Sequence, residues 1–420
     1  MLIHSASQVL TLAGGPQRGQ ELGNLGIIED GAVLVENGRI KALGQSSDLR
    51  KSYPNEDMLD ANGGVVMPGF VDAHSHVVWA GDRAGEFESR LQGKSYIEIL
   101  EAGGGILSTV SATRAASTEE LVAQGRTRLQ AMFAHGSSTI EAKSGYGLDV
   151  DTEFRLLGAL LLLQKEGPWD LAITFLGAHA IPPEYKDRAD DYVEKLCTNI
   201  MPELKSWWLK SAEKQPLPFV DVFCETGAFD LAQSQQIFEK AAELGFPLKI
   251  HADEFDNLGG TGMAVDMGAV SADHLVSTST AEIKQLAASD TVAVALPGTP
   301  FGLAQKEYTA AKEIIEAGGI LAIASDLNPG TAWGENMQFV LALACRYMGL
   351  TPAQAIASAT INGAAAIGRQ NDVGSLEPGK QADLLILKVD DYRHLGYRFG
   401  TNLVRTVIKK GKPHSVREII

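Results

Sequence analysis

Cysteine, basic residues and long apolar runs are scarce in this chain, and each scarcity excludes a class of protein. The 420 residues include 3 cysteines, Cys197, Cys224 and Cys345, without a C-x-x-C pair, so neither a disulfide scaffold nor a zinc finger is indicated. Basic residues number 36 against 52 acidic ones, for a formal charge of -16. Nucleic acids and anionic membrane surfaces require basic patches, so we expect neither as a partner.

The amino-terminal segment has no basic stretch followed by a sustained apolar core, so no signal peptide is indicated and a cytoplasmic protein is expected. The densest apolar run, residues 156–163, is far shorter than the ~20 residues of a membrane helix and predicts a buried helix instead. The hydrophobic content of 45% is typical of a large globular core, and a small-molecule substrate suits the acidic composition.

Short β-type runs occupy both ends of the chain. Asn37-Gly38 lies between two of them, and because both residues tolerate positive φ the pair predicts a tight hairpin. A similar pattern returns at 382–387 and 404–408. Neither end holds enough strands for a stable sheet, so we predict that they pair into one small discontinuous β-sandwich domain, residues 1–65 and 372–420.

Between these ends, in residues 66–371, short apolar strands alternate with helical stretches, which favours a parallel sheet covered by helices. Eight strands predict a (β/α)8 barrel of the TIM type, and an open doubly wound sheet is the alternative because strand order is not visible in sequence. The predicted strands are 69–76, 137–143, 171–179, 219–225, 247–253, 269–274, 291–297 and 320–326, with helices that include 117–135, 231–244 and 304–317.

Polar residues mark the ends of most predicted barrel strands. In His74-Ser75-His76 both imidazoles lie on one face of a strand end, since alternate side chains of a strand point the same way. Barrel enzymes have their sites at the carboxyl ends of the strands, so these side chains are expected to converge on one mouth. The strand-end residues are His74, His76, Glu141, Lys143, His179, Glu225, His251, His274 and Asp326.

Four of these residues, His74, His76, His251 and Asp326, form a candidate site for one metal ion. Three imidazoles and a carboxylate suit zinc or iron and leave a position for a water molecule, whose pKa the metal would lower. Taken singly, each residue has an ordinary interpretation: His251 as a hydrogen-bonded core histidine, for example, or Asp326 as a turn cap. Four strand-end ligands in a repeating frame make coincidence a poor explanation.

The segments around these residues resemble the metal-site segments of the amidohydrolase superfamily. Many members carry a second metal bridged by a carboxylated lysine on the fourth strand, but this chain has Phe223-Cys224-Glu225 there, so the resemblance implies one ion. Lys143, on the second strand, is interpreted as a salt-bridge or structural lysine. The similar segments are 68–76 (PGFVDAHSH), 251–254 (HADE), 271–274 (SADH) and 325–326 (SD), with 37–40 and 377–384 in the β-rich ends.

Within the superfamily, the chain is most similar to the imidazolonepropionase family, through nearly its whole length. The resemblance implies hydrolysis of the ring amide C–N bond of 4-imidazolone-5-propanoate to N-formimidoyl-L-glutamate, a step of histidine degradation, by a homodimer. It depends on residues 103–110 (GGGILSTV), 113–117 (TRAAS), 141–148 (EAKSGYGL) and 177–185 (GAHAIPPEY).

The resemblance also implies roles for individual residues. Arg83 would bind the propionate tail, because an anionic tail calls for a bidentate cation. Among the catalytic candidates, Glu254 would act as acid or base toward the ring, His274 would donate to the developing oxyanion, and Asp326 would be both ligand and base. The other implied substrate contacts are Tyr146, His179, Glu254, Asn328, Gly330 and Thr331.

Two other functions stay open on the sequence. A deaminase of a cyclic amidine or aminopurine on the same scaffold would expel ammonia instead of opening a ring. A catalytically silent scaffold protein would be expected to lack a ligand, yet all the metal and oxyanion candidates are present. Residues 204–210, with Trp207 and Trp208, are interpreted as a helix that packs on the barrel, with a subunit contact as the alternative.

Overall fold

A computed structural model describes residues 1–94, 104–212 and 214–416. Gly103, which begins one of the family-like segments, and residues 417–420 of the predicted terminal domain lie outside the described residues. In chain order, the strands are β1 Leu2–Leu10, β2 Ile27–Glu36, β3 Arg39–Gln45, β4 Met58–Asp60, β5 Val66–Pro68, β6 Phe70–Asp72, β7 Ser137–Lys143, β8 Asp170–Ala178, β9 Phe219–Cys224, β10 Leu248–Ala252, β11 Ser271–His274, β12 Val292–Ala295, β13 Leu321–Ile323, β14 Leu384–Leu387, β15 Val404–Lys409 and β16 Lys412–Ser415.

Strands β6 to β13 are parallel and follow one another around a barrel in sequence order. The first and last of them are joined just beyond their carboxyl ends. There the Asp326 amide donates to the His74 carbonyl at 3.0 Å, and the His76 amide donates to the Leu327 carbonyl at 2.7 Å. Because these bonds close the sheet, the predicted (β/α)8 barrel is confirmed and the open sheet is excluded.

The helices lie between the barrel strands, as predicted, with one error. Residues 117–135 and 231–244 are helical within a residue at each end, and both helices begin with a capping box. The predicted helix 304–317 is wrong in its first half, since residues 304–310 are not helical and the helix begins at Ala311. Ala304 instead has a left-handed φ of 55° directly after the short helix Gly298–Gly302, which ends there. The α-helices are Ser46–Ser52, Ala84–Leu91, Ile106–Ala115, Thr118–Ala134, Val150–Glu166, Ala189–Lys195, Met201–Ser211, Leu231–Glu243, Gly260–Asp266, Thr280–Ala287, Gly298–Gly302, Ala311–Ala317, Met337–Tyr347, Pro352–Ser358, Ile361–Ala365 and His394–Tyr397.

The two segments singled out in the sequence, 156–163 and 204–210, both lie in helices that pack into the core. The run 156–163 lies in the helix Val150–Glu166 and is buried apart from positions such as Leu162, which is 47% exposed. Trp208 is buried in the helix Met201–Ser211, and the ring of Trp207 lies 5.2 Å from that of Phe154. The interpretation of residues 204–210 as a packing helix is therefore confirmed. In the part of the chain that the structure describes, no helix combines the length and apolarity needed to cross a membrane.

The two chain ends form one sheet in the order β16-β15-β14-β5-β1-β2-β3, with β4 paired to β1. The predicted hairpin is present, with φ of 52° at Asn37 and 76° at Gly38. Strand β5 pairs with β1 and β14, so it belongs to this sheet, whereas β6 begins the barrel. The chain changes sheets at Gly69, where an added Cβ would overlap the Ser138 hydroxyl. We therefore propose a domain boundary at Gly69, three residues later than the sequence predicts.

A buried group of ion pairs joins this sheet to the barrel. Asp170, at the start of β8, accepts hydrogen bonds from Lys409 at 3.0 Å and Lys410 at 2.7 Å, both from the β15 end. Burial alone would raise the pKa of Asp170, but Lys409, Lys410 and Arg369 outweigh it and hold that pKa well below its usual value. The ionised carboxylate therefore stabilises the contact between the two parts of the fold.

We expect Asp170→Asn to lower the free energy of unfolding by about 3 kcal/mol at neutral pH, because it leaves buried lysine charge uncompensated. A carboxyl group with a lowered folded-state pKa stabilises the fold above its unfolded-state pKa, about 4, and loses that contribution as the pH falls further. Urea unfolding should therefore show a difference in unfolding free energy between Asp170→Asn and wild type, and this difference should become smaller as the solution is made acidic. Asp290→Asn is the control, since that side chain is fully exposed and pairs with Arg18 at the surface. Equal losses of unfolding free energy in Asp170→Asn and Asp290→Asn would contradict the stabilising role assigned to the buried Asp170 carboxylate.

Candidate metal centre and active site

Four predicted metal ligands meet at the carboxyl end of the barrel. His74 and His76 follow β6, His251 lies in β10, and Asp326 follows β13. The Asp326 Oδ1 atom lies 3.4 Å from His74 Nε2 and 3.8 Å from His76 Nε2. The rings of His74 and His251 are 4.4 Å apart between centroids. Side chains from three separate strands therefore surround one small volume.

Two of the imidazoles are oriented by carboxylates behind them. His74 Nδ1 lies 2.7 Å from Asp273 Oδ2, and His251 Nδ1 lies 3.0 Å from Asp221 Oδ1. A carboxylate at Nδ1 fixes the proton on that nitrogen and leaves the lone pair of Nε2 free for a metal. Within the described part of the chain, Nε2 of both histidines is buried without a hydrogen-bond partner. Buried nitrogens of this kind fit a metal ion.

The protonation states also fit a metal. Burial lowers the pKa of His74 and of His76 well below the usual value, and the charge of Lys143 lowers both further. Both rings are therefore neutral at physiological pH, the form that binds metals. Burial raises the pKa of Asp326 to about 6, against a hydrogen bond from Thr299 that lowers it. The set thus offers neutral imidazoles and a carboxylate of raised basicity.

Glu254 and His274 face each other beside this centre. Glu254 Oε2 lies 3.7 Å from His274 Nε2, and the His274 ring is 5.4 Å from that of His74. Burial, followed by the charges of Asp326 and Glu225, raises the pKa of Glu254 well above its usual value. A raised pKa favours the protonated carboxyl, the form that a general acid needs.

Glu225 has a structural position instead of one in the mouth. Its carboxylate accepts hydrogen bonds from the amides of Phe255 at 2.9 Å and Asp256 at 3.2 Å. It thereby holds the loop that follows Glu254. Among the residues predicted from their positions at strand ends, Glu225 therefore supports the site by fixing a neighbouring loop.

Tyr146 and His179 line one side of the centre, as predicted. The His179 ring stacks on His76 with centroids 5.1 Å apart, and Tyr146 lies 5.5 Å from His76 and 5.2 Å from His179. Burial raises the pKa of Tyr146 far above neutrality, so its phenol keeps a proton to donate. Burial and the neighbouring His251 lower the pKa of His179 to about 3, so this ring is neutral.

Arg83 lies against the loop that follows Asp326. Arg83 Nε donates to Glu86 at 2.7 Å, and its Nη1 lies so close to Gly330 that a Cβ there would overlap it. The Asn328 side chain accepts from the amides of Gly330 and Thr331 at 2.8 Å each and donates to the Asp326 carbonyl at 2.7 Å. This loop therefore connects the metal centre to the Arg83 guanidinium.

The sequence prediction missed the carboxylates that hold the histidines. Asp221 and Asp273 are both fully buried, in β9 and β11. A signal for Asp221 exists, since it is the one charged residue in the apolar run Phe219–Cys224. Strand alternation would place Asp273 and the next residue, His274, on opposite faces, so no sequence signal points to Asp273. In the structure both lie beside His74, and His274 departs from strand geometry with a φ of 80°. Which histidine each carboxylate serves is visible in the structure alone.

Two comparisons by sequence identify the family. Residues 65–413 match the model of the amidohydrolase family, and residues 31–55 match a bacterial imidazolonepropionase-like composite domain. An imidazolonepropionase of Herpetosiphon aurantiacus is 50% identical, over 98% of this chain and 96% of that relative. The chain belongs to the imidazolonepropionases of the amidohydrolase family. A relative from Chloroflexus aggregans, also named imidazolonepropionase, is 47% identical over 98% of this chain and 97% of its own length.

Solved structures support the fold of this imidazolonepropionase relative. An adenosine deaminase from Xanthomonas campestris with bound zinc superposes with a TM-score of 0.73 at 20% identity, over 100% of this chain and 94% of that one. A guanine deaminase of E. coli gives 0.71 at 14% identity, over 99% of each chain. At such identities the likeness shows the fold alone. Membership in the amidohydrolase family makes this chain a metal-dependent hydrolase of a small molecule.

Proposed function

We propose that the protein hydrolyses the ring amide C–N bond of 4-imidazolone-5-propanoate to give N-formimidoyl-L-glutamate, in histidine degradation. One observation carries this proposal. The loop from Asp326 to Thr331 joins a site for a metal ion to the Arg83 guanidinium, which packs against Gly330 of that loop. A substrate with a ring amide at one end and a carboxylate at the other matches both features. The homodimer and the cytoplasmic location stay predictions.

We assign a single divalent ion, zinc or iron, to His74, His76, His251 and Asp326. Such an ion supplies a nucleophile near neutral pH by lowering the pKa of a water molecule. Lys143, the rival for a bridging carboxylated lysine, has its ammonium 2.8 Å from both Glu141 and Asp221. A lysine held as a cation between two carboxylates is not carboxylated, which supports one ion.

The side chains around the centre account for substrate binding and proton transfer. Arg83 binds the propionate through its outer nitrogens, while Asn328 and Thr331 shape that end of the pocket. The Tyr146 phenol donates to the ring, and His179, whose single ring proton is held by the Gly145 carbonyl, accepts from the ring through Nε2. Asp326 accepts the proton of the attacking water, and His274 donates to the oxyanion that develops on the former carbonyl oxygen. Glu254, whose pKa is raised by burial, gives its proton to the leaving ring nitrogen.

A deaminase on this fold is the second candidate, and the anionic subsite argues against it. The Arg83 guanidinium donates to Glu86 through Nε and packs against Gly330, so it places a positive charge beside the loop that follows Asp326. A purine or simple cyclic amidine has no group to use that charge. The product of the reaction separates the two functions.

We expect purified protein to consume imidazolone propionate without releasing ammonia. The loss of the substrate's ultraviolet absorbance measures ring opening, and a coupled assay measures ammonia. Treatment with a strong chelator should abolish turnover, and restored zinc or ferrous iron should recover it. Metal analysis of protein purified without added metal would identify the ion. Ammonia release would favour the deaminase, and no turnover with metal present would overturn the substrate assignment.

We expect Glu254→Gln to lower kcat by about 10²–10⁴-fold, the usual contribution of a general acid. The wild-type rate should fall as the pH rises past the raised pKa of Glu254, because the protonated form is lost. The variant should lack this alkaline limb. Its metal content should equal that of wild type, which separates the proton role from damage to the centre. Full turnover of the variant at every pH would show that Glu254 has no such role.

We expect Gly330→Ala to raise KM for imidazolone propionate by about 10-fold or more, the equivalent of one charge-assisted hydrogen bond, with little change in kcat. The added methyl group overlaps Arg83 Nη1 and displaces the guanidinium. Gly334→Ala is the matched control, since it lies in the same loop and a Cβ there contacts nothing within 4 Å. A similar KM for both variants would place the propionate elsewhere.

A further inference from the structure

A fully buried lysine lies directly beneath the histidines. Lys143 Nζ is 2.8 Å from Glu141 Oε1, 2.8 Å from Asp221 Oδ2 and 3.8 Å from Asp273 Oδ2, and none of these four side chains is exposed. The mechanism proposed above uses none of them. Burying this many charges together is costly, so the arrangement persists only where its geometry repays the cost.

Each carboxylate around Lys143 also contacts a segment that carries a candidate ligand. Asp221 binds Lys143 with one oxygen and His251 with the other. Asp273 uses the oxygen that faces Lys143 to hold His74 at 2.7 Å.

Glu141 reaches the remaining segment. One of its oxygens binds Lys143, and the other accepts the amide of Ser75 at 3.2 Å, between His74 and His76. The Ser75 hydroxyl donates to the Glu141 carbonyl at 2.5 Å, and the Lys143 amide donates to the Ser75 carbonyl at 2.9 Å. The lysine is thus the common partner of groups from β7, β9 and β11.

We propose that Lys143 is a positioning residue for the metal centre: through Asp221, Asp273 and Glu141 it holds His251 and the His74–His76 segment where their nitrogens meet one ion. The inference depends on the metal site proposed above. It adds a residue that touches neither ion nor substrate, and it predicts that metal affinity depends on a lysine.

The charge of Lys143 and its proposed positioning role predict opposite changes in metal affinity when the lysine is removed, so a measured affinity distinguishes them. The network contains the carboxylates of Glu141, Asp221 and Asp273 and the ammonium groups of Lys143 and Lys249, whose Nζ is 3.5 Å from Asp273. Removing Lys143 makes this region more negative. By charge alone a cation would then bind more tightly, whereas a loss of positioning weakens its binding.

The experiment measures zinc affinity of the full chain by competition with a chromogenic chelator, for wild type, Lys143→Met and Lys409→Met. Loss of a supporting partner of metal ligands typically weakens binding about 10–100-fold, and we expect that for Lys143→Met. Lys409→Met is the matched control, because Lys409 is also buried and bonds two carboxylates, Asp170 and Asp383, at the terminal sheet. Its zinc affinity should equal that of wild type.

Several outcomes would overturn the inference. If Lys143→Met binds zinc as tightly as wild type or more tightly, Lys143 acts only through its charge or has no role in metal binding. If Lys409→Met loses as much zinc affinity as Lys143→Met, the loss reflects general destabilisation of the fold. Where Lys143→Met does not fold, Lys143→Gln decides, since it keeps a donor without the charge: weaker binding supports positioning, and unchanged or tighter binding refutes it. Wild-type protein that binds no zinc or ferrous iron would overturn the metal site itself, and the inference with it.

Discussion

The hydrogen bonds between buried carboxylates and buried imidazoles are the interaction on which this site depends. Asp273 holds His74 and Asp221 holds His251, each through Nδ1, in a region without exposed side chains. A neutral histidine that is not held in this way can rotate or bind metal through either nitrogen. Because both Nδ1 atoms are occupied, the free Nε2 lone pairs converge. For His74, burial also lowers the pKa of the ring and so favours the neutral form needed for ligation.

The two sheets place this interaction where chemistry can use it. The chain leaves the terminal sheet at β5, turns at Gly69 and enters the barrel at β6, so His74 and His76 come at the end of the first barrel strand. The bonds that close the barrel involve the backbones of His74, His76 and Asp326. Closure and metal-site assembly are therefore one event, and the backbone of Asp326 takes a left-handed φ of 51° there.

The buried ionisable groups at the two ends of the barrel have different effects. At the amino-terminal end, Asp170 and Lys409 join the barrel to the terminal sheet. At the carboxyl-terminal end, burial raises the pKa of Glu254 and of Tyr146 and so favours their protonated forms. The same low-polarity interior stabilises a contact at one end and sets protonation states at the other. Pairing decides the outcome, since an ion with a close partner stays charged and one without it is neutralised.

The sequence by itself determined the alternation of strands and helices, the strand-end positions of the histidines and Asp326, and the sharing of one sheet by both chain ends. These features follow from the periodic spacing of apolar residues, which is visible within short stretches of the sequence. The tertiary structure alone decided barrel closure, the break at Ala304 and the partners of the buried charges. His74 and Asp273 are 199 residues apart, and Lys143 and Asp221 are 78 apart. No local pattern specifies such pairs, because a buried charge is satisfied by whichever group the fold brings beside it.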